Sequence, residues 1–252
     1  MRINADTLNE LLMSSSPAQS LESAWADIAR DVPELAALDM NQGGKKLHKD
    51  NVAHTIAVTA KTPPRLRVRL TALFHDVGKP PTRKIEAGLV TFHNHEAVGG
   101  HLTRKIMERL GYDTTLTNEV AKLVRLSGST KGSEVWTDTA VRRLMTNCGD
   151  LLEDLLDFVI VDVTSRYQRN HDAVTAEVTG LRAHIEAVRA LDAERAKRPV
   201  IDGAAIMDHF NLAPGPEVGR LRKLVFDAQE AAHARGENFS EEDAWAVLEG
   251  AV

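Results

Sequence analysis

Leu66-Arg-Val-Arg-Leu-Thr-Ala-Leu-Phe-His-Asp-Val-Gly-Lys79 carries an imidazole and a carboxylate side by side at the end of an otherwise apolar helical pattern. Leu66, Leu70, Leu73 and Val77 recur at helical spacing and define one buried face. His75 and Asp76 fall at the C-terminal end of that face, and Gly78 stands where a helix terminator is expected. Burying these two polar groups is costly unless something binds both, and a divalent cation would do so.

Composition sets the outer bounds. The chain has 252 residues, 43% hydrophobic and 27% charged, which is ordinary for a globular protein with a sizeable core. Aromatics make up only 4%, and β-branched clusters are scarce, so the pattern leans to helices. The formal charge of −5 argues against a surface devoted to gripping nucleic acid. Locally the balance reverses: residues 61–84 hold seven Lys or Arg against Asp76 alone, so the basic stretch surrounds the His-Asp pair, which suits an anionic substrate or equally a solvated helix face. A single cysteine, Cys148, rules out an internal disulfide and points to a reducing, cytoplasmic setting. No signal peptide is expected at the N-terminus, and no apolar run is long enough to cross a membrane.

Taken in order, residues 1–19 read as a loose N-terminal tail ending in Ser-Ser-Ser-Pro. Leu21, Trp25 and Ile28 mark a short helix, and Asp50 caps the next, in which His54 sits among Val52, Ala53 and Ile56. After the central helix, Lys84 to Thr91 is the one strand candidate, a small hairpin about Ala87-Gly88. Val98, Leu102, Ile106 and Leu110 predict a helix ended by Gly111, and Asp138 is expected to cap another. A richly apolar helix follows from Leu151, then an amphipathic one over about 172–197, roughly 40 Å long. Ser240 with Asp243 makes a capping-box-like start for the last helix. The expectation is an all-α protein: tail 1–19, catalytic helical domain 20–170, and C-terminal helical extension 171–252.

Four residues are ionisable or metal-binding and lie on apolar helix faces: His54, His75, Asp76 and Asp162. Asp162 stands within Phe-Val-Ile-Val-Asp-Val, where an unpaired carboxylate would cost several kcal/mol. Singly, a buried histidine is more often hydrogen-bonded core than ligand. Together, two histidines and two aspartates on three helices favour a metal. Imidazole and carboxylate without thiol suit one hard or borderline divalent ion, among Mn²⁺, Mg²⁺, Fe²⁺, Co²⁺, Ni²⁺ and Zn²⁺. Such an ion activates water near neutral pH. Lys79, Arg83 and Lys84 could then hold a phosphate, which makes a phosphoester hydrolase coherent.

His54, His75-Asp76 and the distant Asp162 resemble the signature of the HD superfamily of metal-dependent phosphohydrolases. The likeness extends through His48-Lys-Asp-Asn-Val-Ala-His54-Thr, Leu73-Phe-His-Asp-Val-Gly-Lys-Pro-Pro-Thr-Arg83, Phe92-His-Asn-His-Glu96, Trp136-Thr-Asp-Thr-Ala-Val-Arg-Arg143 and Asp162-Val-Thr-Ser165. With Ile201-Asp-Gly and Leu212-Ala-Pro-Gly-Pro-Glu-Val-Gly219, these resemble the HD-containing C-terminal part of actinobacterial-type CCA tRNA nucleotidyltransferases, over about residues 20–250.

The resemblance implies an all-α HD fold and phosphodiesterase or phosphatase activity on nucleotide or RNA-terminal phosphoesters, 2′,3′-cyclic phosphates included. It gives His54, His75, Asp76 and Asp162 the four metal-ligand roles, Asp76 acting in catalysis as well. His95 matches a position used for a second metal or for substrate. Ser127 occupies the place of a further histidine in two-metal members, so one metal is expected and His95 is left to substrate phosphate or proton transfer. His48 is an open position, ligand-like or a helix cap. About 20 residues stand where the nucleotidyltransferase head of that family would be, so unaided CCA addition is not expected. Two rivals follow: a tRNA-binding structural body of a split nucleotidyltransferase, and a non-catalytic HD scaffold. The expected partner is a nucleotide or other phosphoester, with tRNA as a further candidate and no membrane. The oligomeric state is left open.

Overall fold

The computed structural model describes residues 1–39, 51–86, 89–130, 133–162, 168–196 and 199–251. It forms two compact units, Met1–Ile185 and Glu186–Val252. Helices dominate, as the sequence predicts, and the only sheet among the described residues is a two-stranded hairpin.

The first unit opens with α1 (Ala5–Met13), α2 (Pro17–Asp31) and α3 (Pro33–Ala36). The expectation of a loose tail over 1–19 is overturned. Leu8 and Leu12, one turn apart, are fully buried and join the main core with Ile3, Leu21 and Ile28. Polar contacts fix the segment at both ends. Asn4 caps α1 by accepting from Thr7 N–H at 2.9 Å, and Ile3 N–H donates to Asp31 at 2.8 Å. Tyr112 donates to Asn9 at 2.8 Å. The orphan carbonyl of Leu12, near the end of α1, accepts from the buried Arg69 guanidinium.

Next come α4 (Asn51–Lys61), α5 (Leu66–Phe74) and the short α6 (Lys79–Thr82). The expected Asp50 cap lies outside the described residues. α5 is buried on nearly every side, from Val68 to Phe74, so it is the central strut of this unit. The hairpin follows, β1 (Lys84–Glu86) pairing antiparallel with β2 (Leu89–Thr91) in the register Lys84 with Thr91, Ile85 with Val90 and Glu86 with Leu89. Residues 87 and 88 are outside the described set. Asn94 takes a left-handed conformation (φ 61°), which asparagine tolerates, and turns the chain into α7 (His95–Leu110). Gly111, also left-handed (φ 90°), ends α7 as expected.

α8 (Thr114–Leu126) packs closely along α7. The contact is tight because Gly99 and Gly100 present no side chains: a Cβ on Gly100 would lie 2.7 Å from the Ala121 carbonyl. Then come α9 (Asp138–Cys148) and α10 (Leu152–Asp162). The cap of α9 is Thr137, whose hydroxyl accepts from Ala140 N–H at 3.3 Å; Asp138 is the first helical residue instead. α10 packs on α4, α5 and α8.

α11 (Gln168–Ala196) runs across the boundary between the units, so the first unit extends to residue 185 rather than to the expected 170. In the second unit, α12 (Gly203–Phe210), α13 (Pro216–Ala234) and α14 (Glu241–Glu249) enclose a small core of Ile206, Leu221, Val225, Ala244 and Leu248. The predicted capping box is present: Asp243 N–H donates to Ser240 Oγ at 3.1 Å, and Ser240 N–H donates to Asp243 at 2.8 Å.

Candidate metal centre

Three helices meet where α5 ends. Val58 of α4, Val68 and Ala72 of α5, and Phe158 of α10 form a dry cluster there. Directly beside it α4 contributes His54, the turn after α5 contributes His75 and Asp76, and the last residue of α10 contributes Asp162. Phe158 and Asp162 are one turn apart on α10 and share a face. The Phe158 ring lies 5.5 Å from the His75 ring, and Asp162 Oδ1 lies 3.3 Å from His75 Nε2 and 3.4 Å from His54 Nε2. Asp76 Oδ2 is 3.2 Å from the same His75 Nε2. The structure thus brings together four side chains that are up to 108 positions apart.

Several features make this a fit for a cation. One donor atom from each of His54, His75 and Asp76 lies within 4.8 Å of the others. The separations of 3.2, 3.3 and 3.4 Å match those of neighbouring ligands on one ion, about 3.0–3.4 Å for bonds of about 2.1 Å. His75 Nδ1 is 2.7 Å from the Ala72 carbonyl. That oxygen can only accept, so Nδ1 carries the proton and the Nε2 lone pair faces the carboxylates. Nε2 is buried, and its nearest charged neighbours among the described residues are Asp76 Oδ2 at 3.2 Å and Asp162 Oδ1 at 3.3 Å. An imidazole nitrogen facing two carboxylates is a donor set that fits a divalent cation.

The electrostatics agree. Burial by itself would lower the His75 pKa, but the Asp76 and Asp162 carboxylates outweigh it and push it up to about 10. Burial opposes ionisation of Asp76, yet His75 and Lys79 hold its carboxyl well below the usual range. Asp162 is likewise lowered, its burial outweighed by His75 and His54. With no ion, a proton on His75 is the nearest available positive charge, and a divalent cation would displace it.

The remaining predicted site residues are placed differently. Lys79 Nζ donates to Asp76 Oδ2 at 2.7 Å and sits 6.0 Å from the Phe92 ring centre. Arg83, just before β1, and Lys84, its first residue, are exposed. His95 opens α7 with Nδ1 2.8 Å from the Phe92 carbonyl and 3.2 Å from Glu96 Oε2, but no contact joins it to the four-residue group. Ser127 donates to the Val124 carbonyl at 2.9 Å and caps α8. His48 lies outside the described residues.

Two readings need correction. The basic stretch does not surround the His-Asp pair as free charge. Arg65 and Arg67 each reach Asp154 at 2.5 Å, Arg67 also reaches Glu119 at 2.8 Å, Arg69 is spent on Leu12, and Lys79 on Asp76. Gly78 is not a left-handed terminator, since its φ is −80°. Its role is close approach: a Cβ there would fall 2.0 Å from the His95 carbonyl oxygen and 2.6 Å from Gly99 N. The turn carrying His75 and Asp76 is therefore pressed against the first turn of α7. Sequence reasoning also missed Phe158 and Phe92; for Phe158 the available signal was its place one turn before Asp162.

Residues 48–166 match the HD domain family. The chain carries an HD domain. Two curated proteins are similar over most of this chain. A CC-adding tRNA nucleotidyltransferase of Thermus thermophilus is 33% identical over 227 residues, covering 86% of this chain and 48% of that protein. An A-adding tRNA nucleotidyltransferase of Deinococcus radiodurans is 28% identical over 235 residues, covering 89% of this chain and 53% of that protein. The chain therefore spans about half the length of each relative. No helix among the described residues is long and apolar enough to cross a membrane.

Proposed function

We propose that this chain is a metal-dependent phosphohydrolase, cytoplasmic in setting, acting on nucleotide or RNA-terminal phosphoesters such as 2′,3′-cyclic phosphates. The observation that carries the reading is the grouping of His54, His75 and Asp76, whose donor atoms lie within 4.8 Å of one another, with Asp162 Oδ1 3.3 and 3.4 Å from the two imidazoles. These four would hold one divalent ion, which when bound supplies an activated water and polarises a phosphoryl oxygen. His54 and His75 enter as neutral donors, and the Ala72 carbonyl fixes the His75 tautomer. The carboxylates of Asp76 and Asp162 provide the negative charge, and Asp76 is placed by Lys79. His95 is oriented by the Phe92 carbonyl so that Nε2 is its free nitrogen, suited to moving a proton or holding a phosphate oxygen. Arg83 and Lys84 stand exposed for the remaining phosphate charge. Residues 1–185 form the catalytic unit in this reading, and 186–252 an accessory helical region.

The test is hydrolysis of bis-p-nitrophenyl phosphate, 2′,3′-cyclic AMP, 2′-AMP and pyrophosphate with Mn²⁺, Ni²⁺, Co²⁺ or Mg²⁺. EDTA-sensitive turnover that disappears in Asp76→Ala supports the hydrolase and identifies the bond class. Turnover undiminished in both His75→Ala and Asp76→Ala sinks it.

The relatives' names favour one second reading, in which this chain is the tRNA-binding body of a nucleotidyltransferase. A gel shift with tRNA at low and moderate salt tests that reading, because phosphate-driven binding weakens steeply with salt. No shift at low salt removes its support.

A further inference from the structure

One oxygen of Asp76 serves two neighbours. Oδ2 lies 3.2 Å from His75 Nε2 and accepts from Lys79 Nζ at 2.7 Å. The oxygen that faces the imidazole nitrogen is therefore already held by an ammonium. The Asp76 side chain is 2% exposed and that of Lys79 15%, so the pair is largely withdrawn from water. The carboxylates at the other end of α5 are held differently, by guanidinium groups that fork onto Asp154 and Asp157. At the candidate metal ligand the counter-charge is a lysine, a single point charge on a flexible four-carbon stem.

A divalent ion would change the balance at this oxygen. Asp76 and Asp162 supply two negative charges and the histidines enter as neutral donors, so the ion neutralises the group by itself. The Lys79 ammonium is then surplus. It would share Oδ2 with a doubly charged cation in a poorly solvated place, where like charges repel strongly. The backbone cannot relieve that conflict. Lys79 N–H donates to the Asp76 carbonyl at 2.9 Å, and Gly78, between them in sequence, is pressed against the first turn of α7. The side chain can relieve it, because only its torsions need to change. The Phe92 ring, 6.0 Å from Nζ, offers the displaced ammonium an aromatic face nearby.

We propose that Lys79 is a resident counter-ion which the metal displaces from Asp76 Oδ2, so that its ammonium is released to an anionic ligand only after the ion has bound. The inference rests on the metal-dependent phosphohydrolase reading and adds an order to it, metal first and phosphoester second. It also accounts for a lysine that is spent on Asp76 and yet stands where a phosphate needs positive charge.

The experiment is isothermal titration of the whole chain with Mn²⁺, then of the Mn²⁺-saturated chain with methylphosphonate, a phosphoryl group that cannot be hydrolysed. Wild type is compared with Lys79→Met, which keeps the stem and loses the charge, and with Lys79→Arg, which keeps the charge; Lys79→Gln replaces the methionine variant if that one fails to fold. Lys79→Met is expected to bind Mn²⁺ at least about tenfold more tightly and methylphosphonate several-fold more weakly, while melting at a lower temperature in EDTA. Lys79→Arg should stay within about threefold of wild type for Mn²⁺. A merely structural lysine would lower melting without moving the two affinities in opposite directions. Three results overturn the proposal: Mn²⁺ bound no more tightly by Lys79→Met, the same tightening in Lys79→Arg, or methylphosphonate affinity undiminished in Lys79→Met. Mn²⁺ bound by wild type but no more tightly by Lys79→Met defeats the counter-ion and leaves the metal centre standing. No Mn²⁺ binding by either chain defeats both. The expected shifts in a chain with no metal-dependent turnover defeat the hydrolase and leave the exchange at Asp76 standing.

Discussion

At the N-terminal end of α5, Arg65 and Arg67 meet Asp154 at 2.5 Å each, Arg67 meets Glu119 at 2.8 Å, and Asp157 is held by both Arg65 and Arg182. At its C-terminal end, Asp76 and Asp162 meet two imidazoles and Lys79. Both clusters hold buried carboxylates: Asp154 is 3% exposed and Asp76 2%. At the first, guanidinium forks satisfy the carboxylates with permanent charge. At the second, the His75 imidazole must take up a proton to do so, being buried between the two carboxylates. The difference separates a fastening from a site. A cluster that neutralises itself holds helices together, and one left short of positive charge is able to take up a cation.

The comparison can be broken in four ways. The largest effect is expected from Gly78→Ala, which drives a methyl group into the His95 carbonyl and the Gly99 amide. Because the obstacle is backbone, we expect a loss of about 3–5 kcal/mol, read by denaturant unfolding, with Mn²⁺ binding lost as well. Wild-type stability would sink the close-approach account.

Next is metal linkage. Mn²⁺ at about a hundred times its Kd should stabilise the wild-type chain by about 2.7 kcal/mol, reversed by EDTA and absent in Asp76→Ala. Calorimetric melting with and without metal checks this. A metal-induced rise that survives in Asp76→Ala would move the ion elsewhere. Asp154→Ala should show the opposite signature, a loss of about 1–2 kcal/mol with Mn²⁺ affinity unchanged, because it removes the carboxylate shared by Arg65 and Arg67, which keep Asp157 and Glu119, and touches no ligand. Weakened Mn²⁺ binding in that variant would mean that the two ends of α5 are not independent.

The smallest effect is expected from Arg69→Met, which keeps the apolar stem and removes the donor to the Leu12 carbonyl. A loss of about 1 kcal/mol is expected, measured as a shift in the denaturant midpoint. No loss would show that α1 is held by its leucines alone.

What the sequence made legible follows the range of the forces involved. The Gly111 terminator and the Ser240–Asp243 capping box are settled within four residues, and both were readable. The four site residues stood out because each interrupts an apolar helix face, a conflict visible without knowing which helices meet. The structure brings them together, while their role as ligands rests with the metal titration.

The misreadings share one cause, distant partners. In sequence the basic stretch reads as local charge, but Arg65 and Arg67 are answered by Glu119, Asp154 and Asp157, 52 to 92 positions along the chain. The Ser-Ser-Ser-Pro ending of residues 1–19 suggests a tail, although Leu8 and Leu12 have the spacing of a buried stripe and lie in the core. Gly78 was given a local role in helix termination, and the reason for it lies in α7, with His95 and Gly99.

That last contact has a mechanical consequence. With only hydrogen on the Gly78 Cα, the turn bearing Asp76 and the first turn of α7 have no side chain between them to act as a cushion. A shift of α7 by a fraction of an ångström must push directly on the backbone next to Asp76 or open a gap beside it. α7 also packs along the whole of α8, so strain applied to that helix pair has a stiff route to the carboxylate.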